Sequence, residues 1–183
     1  VMSTDVASTR IRDAGRSARP LRIVAGGNWL GAGGPVKAAD TLSVADDRGI
    51  VEYVPGDLTL TARAGTPIAD LVAGVKANDQ WLPLDPWGGD RGTLGATLST
   101  ATAGPHSHAM GLPRDVALGL EFVTGTGEVV RAGGRVVKNV AGFDLTRLLI
   151  GAWGSFGVIT EATLRLRARP AALRTFLLSV ETG

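Results

Sequence analysis

The amino-acid sequence predicts an α+β protein with two lobes, a small α/β lobe at residues 1–55 and a larger lobe of antiparallel sheet and helices at residues 56–170. Three observations lead to this prediction. Helical periodicity is followed by short apolar runs before residue 55, apolar and polar residues alternate strictly after Pro55-Gly56, and a hairpin pattern follows further along. Residues 171–183 begin a further apolar strand at Phe176–Val180 and are expected to lie outside both lobes.

The small lobe is predicted from one helix and three short strands. The helix spans Ser3–Ala14, because Ser3 is a suitable N-cap residue and Gly15 follows the end of the pattern. The strands are short apolar runs bounded by turn-forming residues, at Leu21–Ala25, Thr41–Val44 and Ile50–Val54. One helix with short strands in so few residues is typical of a small α/β layer.

The larger lobe shows the periods of both strands and helices. Leu58, Leu60 and Ala62 alternate with polar residues and predict a half-buried strand, after which Thr66-Pro67 predicts a helix start with Thr66 as the N-cap. The remaining predicted features are an inward helix face at Ile68, Leu71, Val72 and Val75, a hairpin turning at Thr124–Gly127, a helix capped by Asp144 with Leu145, Leu148 and Leu149 inward, and an alternating strand over Val158–Ala168.

Composition narrows the class of protein. Glycine accounts for 26 of 183 residues, about twice its usual share, so many turns and close backbone approaches are expected. The absence of cysteine excludes disulfides, thiolate metal sites and iron–sulfur ligation within this chain. The net charge is only +2, no basic run is interleaved with aromatic residues, and no apolar run reaches the length of a membrane span. We therefore expect a cytoplasmic domain without a transmembrane segment and without affinity for nucleic acid.

Gly26-Gly27-Asn28 follows a predicted strand but opens no helix. It is neither the dinucleotide fingerprint G-x-G-x-x-G nor a P-loop, which requires G-K-[ST]. Successive amides of such a loop can point at one anion, although a plain tight turn between two strands has the same composition. Both interpretations stay open from these residues alone.

The segment Thr93–Met110, TLGATLSTATAGPHSHAM, consists mostly of small residues. Small side chains leave the backbone accessible to a partner, and hydroxyls and free amides suit a pyrophosphate or a heteroaromatic edge. The alternative is a loop whose hydroxyls are satisfied by its own turns. The histidines His106 and His108 lack a third ligand at suitable spacing, so no metal site is predicted, and we expect them to be exposed or to donate to a ligand.

Five stretches carry a family resemblance, in this order: PLRIVAGGN at 20–28, LTARAGTPIADL at 60–71, WLPLDP at 81–86, TLGATLSTATAGP at 93–105, and the long segment 114–166, which includes RVVKNVAGFDLTRLLIGAWGSFGVITE. Together they resemble the FAD-binding domain of the vanillyl-alcohol oxidase/p-cresol methylhydroxylase (PCMH-type) flavoprotein family, and within it the FAD-binding E subunits of bacterial glycolate oxidases. The likeness spans about four-fifths of the chain.

The resemblance implies an extended FAD molecule held by backbone groups and small side chains. The positions that match the pyrophosphate contacts are Gly26, Gly27 and Asn28. Those that match the ribityl and flavin contacts are Thr93, Leu94, Gly95, Thr97, Thr100, Ala103 and Gly104. Further matches are a glycine-to-aspartate contact, Gly111 and Asp115, and backbone contacts at the adenine end, Gly157, Val158 and Ile159. No catalytic residue is identified, and the candidates near the flavin ring are Lys138 and Asn139.

The implied activity is an FAD-dependent oxidoreductase subunit that oxidises a small 2-hydroxy acid such as glycolate. The electrons would pass to partner subunits, namely a second flavin subunit and an iron–sulfur subunit. Through these partners the subunit could lie at the inner face of the membrane. The alternatives are an FAD carrier without catalysis, a module for another nucleotide, and a related flavoenzyme that acts on D-lactate or a sugar nucleotide. Family oxidases continue with a cap domain after the position of Pro170, so residues 171–183 are interpreted as its stub.

Three positions depart from the family pattern. Some members attach FAD covalently through a histidine in the first glycine loop, where this chain has Asn28-Trp29, so non-covalent binding is expected. Phe143 stands where tyrosine is usual, and a hydroxyl near the flavin is thereby lost. Ala96 stands where glycine is common, which makes the backbone less free at that position.

Overall fold

The computed structural model of the protein describes residues 3–32, 36–87, 89–134, 144–172, 174 and 176–179. The strands in this part of the chain are β1 (Leu21–Val24), β2 (Asp40–Ser43), β3 (Ile50–Val54), β4 (Thr59–Arg63), β5 (Gln80–Trp81), β6 (Ala117–Val123), β7 (Val129–Gly133), β8 (Val158–Arg165) and β9 (Arg167–Ala168). The α-helices are α1 (Thr4–Arg16), α2 (Ile68–Lys76), α3 (Leu94–Thr100), α4 (Ser107–Met110), α5 (Pro113–Val116) and α6 (Leu145–Leu149). None of these described helices is long and apolar enough to cross a membrane.

A small parallel sheet and one helix form the first part of the chain. β1 pairs with β2 over four residues, from Leu21 opposite Asp40 to Val24 opposite Ser43. α1 begins as predicted, because the Ser3 hydroxyl accepts a hydrogen bond from the Val6 N–H at 3.4 Å. The helix packs on this sheet and on the end of the larger sheet through a small core of Ala7, Ile11, Leu42, Val44, Val123 and Val158.

The larger sheet is antiparallel, with the order β3-β4-β8-β6-β7. The predicted hairpin is confirmed, since β6 pairs with β7 and the turn between them closes through the Gly127 N–H, which donates to the Thr124 carbonyl at 3.0 Å. One face of the sheet carries the main core, which continues into α2, α3 and α6. Its largest fully buried side chains include Leu60, Ile68, Leu71, Leu94, Leu98 and Leu164. An α+β fold with helices on an antiparallel sheet is therefore confirmed.

Three local predictions are wrong. β4 is covered on both faces, since the alternating residues Thr59 and Thr61 are buried as well as Leu60 and Ala62, so the strand is not half-buried. Thr66 does not cap α2. Its buried hydroxyl instead donates to the Arg63 carbonyl at 2.6 Å and accepts from the Gly49 N–H at 2.8 Å. Residues 176–179 are exposed and lie outside any strand, in contrast to the strand expected at Phe176–Val180, whose last residue is not described.

Two inward-facing predictions also change. Val72 and Leu148 are substantially exposed, because α2 buries Ile68, Leu71 and Val75 and the short helix α6 buries Thr146 and Leu149. The cap of α6 is confirmed, since the Asp144 carboxylate accepts from the Arg147 N–H at 3.1 Å. β3 precedes residue 55 but pairs with β4 in the larger sheet. The division of the chain into lobes at 1–55 and 56–170 stays a prediction.

Candidate functional site

An open cleft lies where the loop after β1, helix α3 and the turn before β8 meet. These three segments are far apart in the sequence, and the fold brings them together around one space. The predicted site residues that line the cleft are Gly27, Asn28, Gly95, Thr100, Gly157, Val158 and Ile159. The structure thus brings residues from all three glycine-rich stretches to one cleft.

The glycine loop forms one end of this cleft. Gly26, Gly27 and Asn28 are exposed, and Gly27 has a φ of +77°, a left-handed conformation that favours glycine. Within the described residues, the backbone N–H groups of these three positions donate to no protein acceptor. The Asn28 side-chain amide donates to the Arg91 carbonyl at 3.2 Å and so ties the loop to the segment before α3. Free amides on a fixed loop are the donor set that binds an anion.

Helix α3 replaces the loop that the composition of Thr93–Met110 suggested. Thr93 is its N-cap, and the hydroxyl accepts from the Ala96 N–H at 3.4 Å. The first amides bind neighbouring backbone: the Leu94 N–H donates to the Thr66 carbonyl at 2.9 Å and the Gly95 N–H to the Ala64 carbonyl at 2.7 Å. The expectation that this stretch offers free amides is therefore wrong for residues 94–100.

The hydroxyls of α3 are also largely satisfied by the helix itself. Thr97 is buried and donates to the Thr93 carbonyl at 3.0 Å, and Thr100 donates to the Ala96 carbonyl at 2.7 Å. The side chain of Leu94 lies in the main core. Of the predicted positions on α3, only Gly95 and Thr100 face the cleft, together with Ala96 and Ser99, which were not predicted.

The remaining predicted residues lie elsewhere. The Gly104 N–H donates to the Asp85 carbonyl, and the Asp85 carboxylate accepts from the His106 N–H at 3.0 Å, so the loop that contains Ala103 is held by Asp85. Gly111 and Asp115 line a separate cavity. There the Asp115 carboxylate accepts from the Leu112 N–H at 2.9 Å and caps α5. Their contact with a cofactor stays a prediction.

A model of one protein family matches residues 1–133, and it describes a FAD-binding domain. This match covers well over half of the chain. The chain belongs to this FAD-binding domain family. FAD is therefore the cofactor of the fold, in agreement with the prediction from the sequence.

Two curated relatives that the chain resembles are glycolate oxidase subunits. The glycolate oxidase subunit GlcE of Escherichia coli is 41% identical over 154 residues, which are 84% of this chain and 44% of that protein. The glycolate oxidase subunit GlcD of Bacillus subtilis is 32% identical over 152 residues, 83% of this chain and 32% of that protein. The chain thus spans less than half the length of both relatives.

A solved structure confirms the fold of the FAD-binding domain. An alkyldihydroxyacetonephosphate synthase matches with a TM-score of 0.77 over 93% of this chain and 31% of its own, at 24% sequence identity. At this identity the likeness establishes the architecture alone.

The described residues fit FAD at the glycine loop. A Cβ added at position 26 would lie 3.6 Å from the Thr93 methyl carbon, which is an ordinary contact. Crowding therefore does not explain the glycine at this position. The free amides at Gly26, Gly27 and Asn28 are instead suited to the pyrophosphate of a dinucleotide. The catalytic candidates Lys138 and Asn139, and the position of Phe143, lie outside the described residues.

Two tryptophans of the FAD-binding domain were missed by the sequence analysis. Trp29 and Trp153 both line the cleft, and their rings meet edge to face with centroids 6.2 Å apart. Each stands inside a glycine-rich turn, in a chain with few aromatic residues, and this placement is the signal that was available. The described lining contains no ionisable side chain, so the walls of the cleft are neutral.

A cluster of charged side chains lies on the larger sheet and consists of Arg63, Glu121, Arg131 and Glu161. Glu121 is 6% exposed and accepts hydrogen bonds from Arg131 at 2.7 and 2.8 Å, from Thr4 at 2.8 Å and from Thr160 at 3.0 Å. Burial by itself raises the pKa of Glu121, but these hydrogen bonds outweigh it and hold the pKa below its ordinary value. In contrast, burial raises the pKa of the neighbouring Glu161, although Arg63 lies 3.3 Å away.

Proposed function

We propose that the chain is the FAD-binding domain of a flavin-dependent oxidoreductase subunit that oxidises a small 2-hydroxy acid such as glycolate. The observation that carries this proposal is the cleft, which joins free amides after β1 to a neutral wall formed by α3 and the start of β8. The names of the two relatives, both glycolate oxidase subunits, support the substrate class and an assembly of several subunits. Since this chain spans less than half of either relative, the substrate pocket and the electron path would involve further residues.

In this proposal the chain binds and orients the cofactor. The amides of Gly26, Gly27 and Asn28 bind the pyrophosphate, and Gly157–Ile159 contacts the adenine end through its backbone. Gly95 and Thr100 border the ribityl side. When bound, FAD accepts the hydride that leaves the carbon bearing the substrate hydroxyl. We further propose that binding is non-covalent, because neither histidine lines the described cleft and the chain has no cysteine.

An absorbance spectrum of the purified chain tests the binding proposal. Bound flavin is expected at near-stoichiometric amounts in the wild type. Gly27→Val is expected to lose it, because a β-branched residue is strained at φ +77° and would shift the backbone amides of the loop. Gly31→Val is the matched control in the next turn, where an added Cβ meets nothing within 4 Å. Flavin that stays with the protein after acid precipitation would overturn non-covalent binding, and a colourless wild type without thermal response to FAD would overturn the proposal as a whole.

The second candidate is an FAD carrier that takes part in electron transfer or assembly without oxidising substrate. The neutral lining of the described cleft favours it, because no described side chain there can take up the hydroxyl proton. Anaerobic addition of glycolate or D-lactate to the flavin-loaded complex separates the two candidates. Bleaching of the flavin supports the oxidase, and an unchanged spectrum supports the carrier.

A further inference from the structure

Trp29 and Trp153 form an aromatic pair at the cleft. Trp29 lies on the loop after β1, directly beyond the free amides of Gly27 and Asn28, and Trp153 lies on the turn before β8. Their ring planes are 87° apart, so the edge of one indole meets the face of the other. The pair therefore connects two walls of the cleft that are distant in the sequence.

Trp153 lies in a tight turn before β8. The Ser155 N–H donates to the Ala152 carbonyl at 2.9 Å, and the two central residues, Trp153 and Gly154, have φ values of +54° and +78°. Glycine, asparagine and aspartate are usual at the central positions of such turns, and a bulky L residue rarely adopts this left-handed region. Trp153 is 54% exposed, so burial does not account for a tryptophan at this position.

The turn that carries Trp153 is firmly supported. The Trp153 N–H donates to the Ser99 carbonyl at 2.9 Å, and the Gly151 N–H donates to the Leu98 carbonyl at 3.0 Å. Both acceptors lie on α3, which is packed in the main core through Leu94 and Leu98. The indole is thus held in place by backbone bonds and leaves much of its surface open to the cleft.

We propose that the Trp29–Trp153 pair is the platform on which the adenine ring of FAD stacks. This inference rests on the FAD site proposed above and adds two residues of this chain to it. Indole rings bind flat heteroaromatic rings by stacking, and the neutral walls beside them suit an uncharged base. The adenine ring is the proposed occupant, and not the flavin, because Trp29 directly follows the loop that the proposal assigns to the pyrophosphate and Trp153 precedes Gly157–Ile159, which it assigns to the adenine end.

Binding of ADP and FMN to the flavin-free chain, measured by calorimetry, tests this assignment. Trp153→Gly is expected to weaken ADP binding by about tenfold or more, the scale of a lost base-stacking contact. Trp153→Phe keeps an aromatic ring and is expected to bind ADP within about threefold of the wild type. FMN affinity is expected to be unchanged in both variants, and so is ADP affinity in the control Trp87→Phe, which replaces an exposed tryptophan outside the cleft lining.

The variant Trp153→Gly separates folding from binding. Glycine adopts the left-handed region without strain, so the apo-protein is expected to melt close to the wild type although its ADP affinity falls. Unchanged ADP affinity in Trp153→Gly, or a loss of FMN affinity with ADP binding retained, would overturn the inference. Either result would overturn the assignment of adenine to the tryptophan pair and not the proposal that the chain binds FAD. A wild type that binds neither FAD nor ADP would instead overturn the proposed function.

Discussion

Replacement of Gly95 by alanine is expected to destabilise the protein. Gly95 lies in the first turn of α3, where its N–H donates to the Ala64 carbonyl at 2.7 Å. A Cβ at this position would lie 2.8 Å from the Ala64 Cβ and 3.1 Å from the Ala64 carbonyl oxygen, both well inside normal contact. The helix therefore rests directly on the residue that follows β4, and this contact requires glycine whether or not a cofactor is present.

The magnitude follows from two opposing effects. Overpacking of a well-packed site costs about 1–3 kcal/mol, while the higher helix propensity of alanine offsets up to about 1 kcal/mol. The expected net loss in free energy of unfolding is about 1–2 kcal/mol. For a chain of this size, such a loss lowers the melting temperature by roughly 2–8 °C.

The assay is urea unfolding and thermal melting of four variants: Gly95→Ala, Gly92→Ala, Ala64→Gly and the double variant Gly95→Ala/Ala64→Gly. Gly92→Ala is the matched control, because its Cβ would lie 3.7 Å from the Thr97 hydroxyl and its stability should stay within about 0.5 kcal/mol of the wild type. In the double variant with Ala64→Gly, the nearest clashing atom is removed, so the two substitutions should couple favourably. A Gly95→Ala protein as stable as the wild type, or more stable, would refute the close contact between α3 and Ala64.

Three further predictions concern polar groups that are buried or half-buried. Thr66→Val removes a hydroxyl that donates to the Arg63 carbonyl and accepts from the Gly49 N–H, so the free energy of unfolding is expected to fall by about 2–3 kcal/mol. Thr66→Ser keeps the hydroxyl and should lose clearly less. Equal losses in the two variants would show that the methyl group matters and the hydroxyl does not. The pKa of Glu121 in the folded protein lies below its ordinary value of 4.5. The ionised carboxylate therefore stabilises the fold above about pH 4.5, and this stabilisation is lost as the pH falls through the lower folded pKa. Glu121→Gln should reduce this loss of stability in acid. Burial raises the pKa of Glu161, so its protonation favours folding as the pH falls from the raised value towards 4.5, and Glu161→Gln should remove this gain. Urea unfolding at about pH 7, 5 and 3.5 measures both effects, and a change of the same sign in the two variants would contradict the assignment.

The sequence predicted most of the elements that rest on local patterns. The hairpin of β6 and β7, the Ser3 and Asp144 caps and the long strand β8 are each encoded within a few residues. Helix α3 was missed because threonine and glycine have low helix propensity. The available signal was Leu94 and Leu98 at i and i+4, both of which the tertiary fold buries.

The features that the sequence did not predict concern contacts between distant parts of the chain. The membership of β3 in the larger sheet depends on its pairing with β4, which a local apolar pattern does not specify. The N-cap expected from Thr66 fails because its hydroxyl is used by Gly49 and Arg63. Of the candidate site, the glycine loop and the start of β8 were predicted, but the meeting of Trp29 with Trp153 depends on the assembled fold.

The strand order has a consequence for folding. β4 lies between β3 and β8, and the register pairs Thr59 with Arg165, so the centre of the larger sheet cannot close until nearly the whole described chain has left the ribosome. The hydrogen bond from Thr4 of α1 to Glu121 of β6 also joins residues that lie 117 positions apart in the sequence. Closing such long loops is slow compared with forming helices and hairpins. During synthesis β1 can pair with β2 and β3 with β4, but the edge of β4 that binds β8 stays unpaired until β8 arrives.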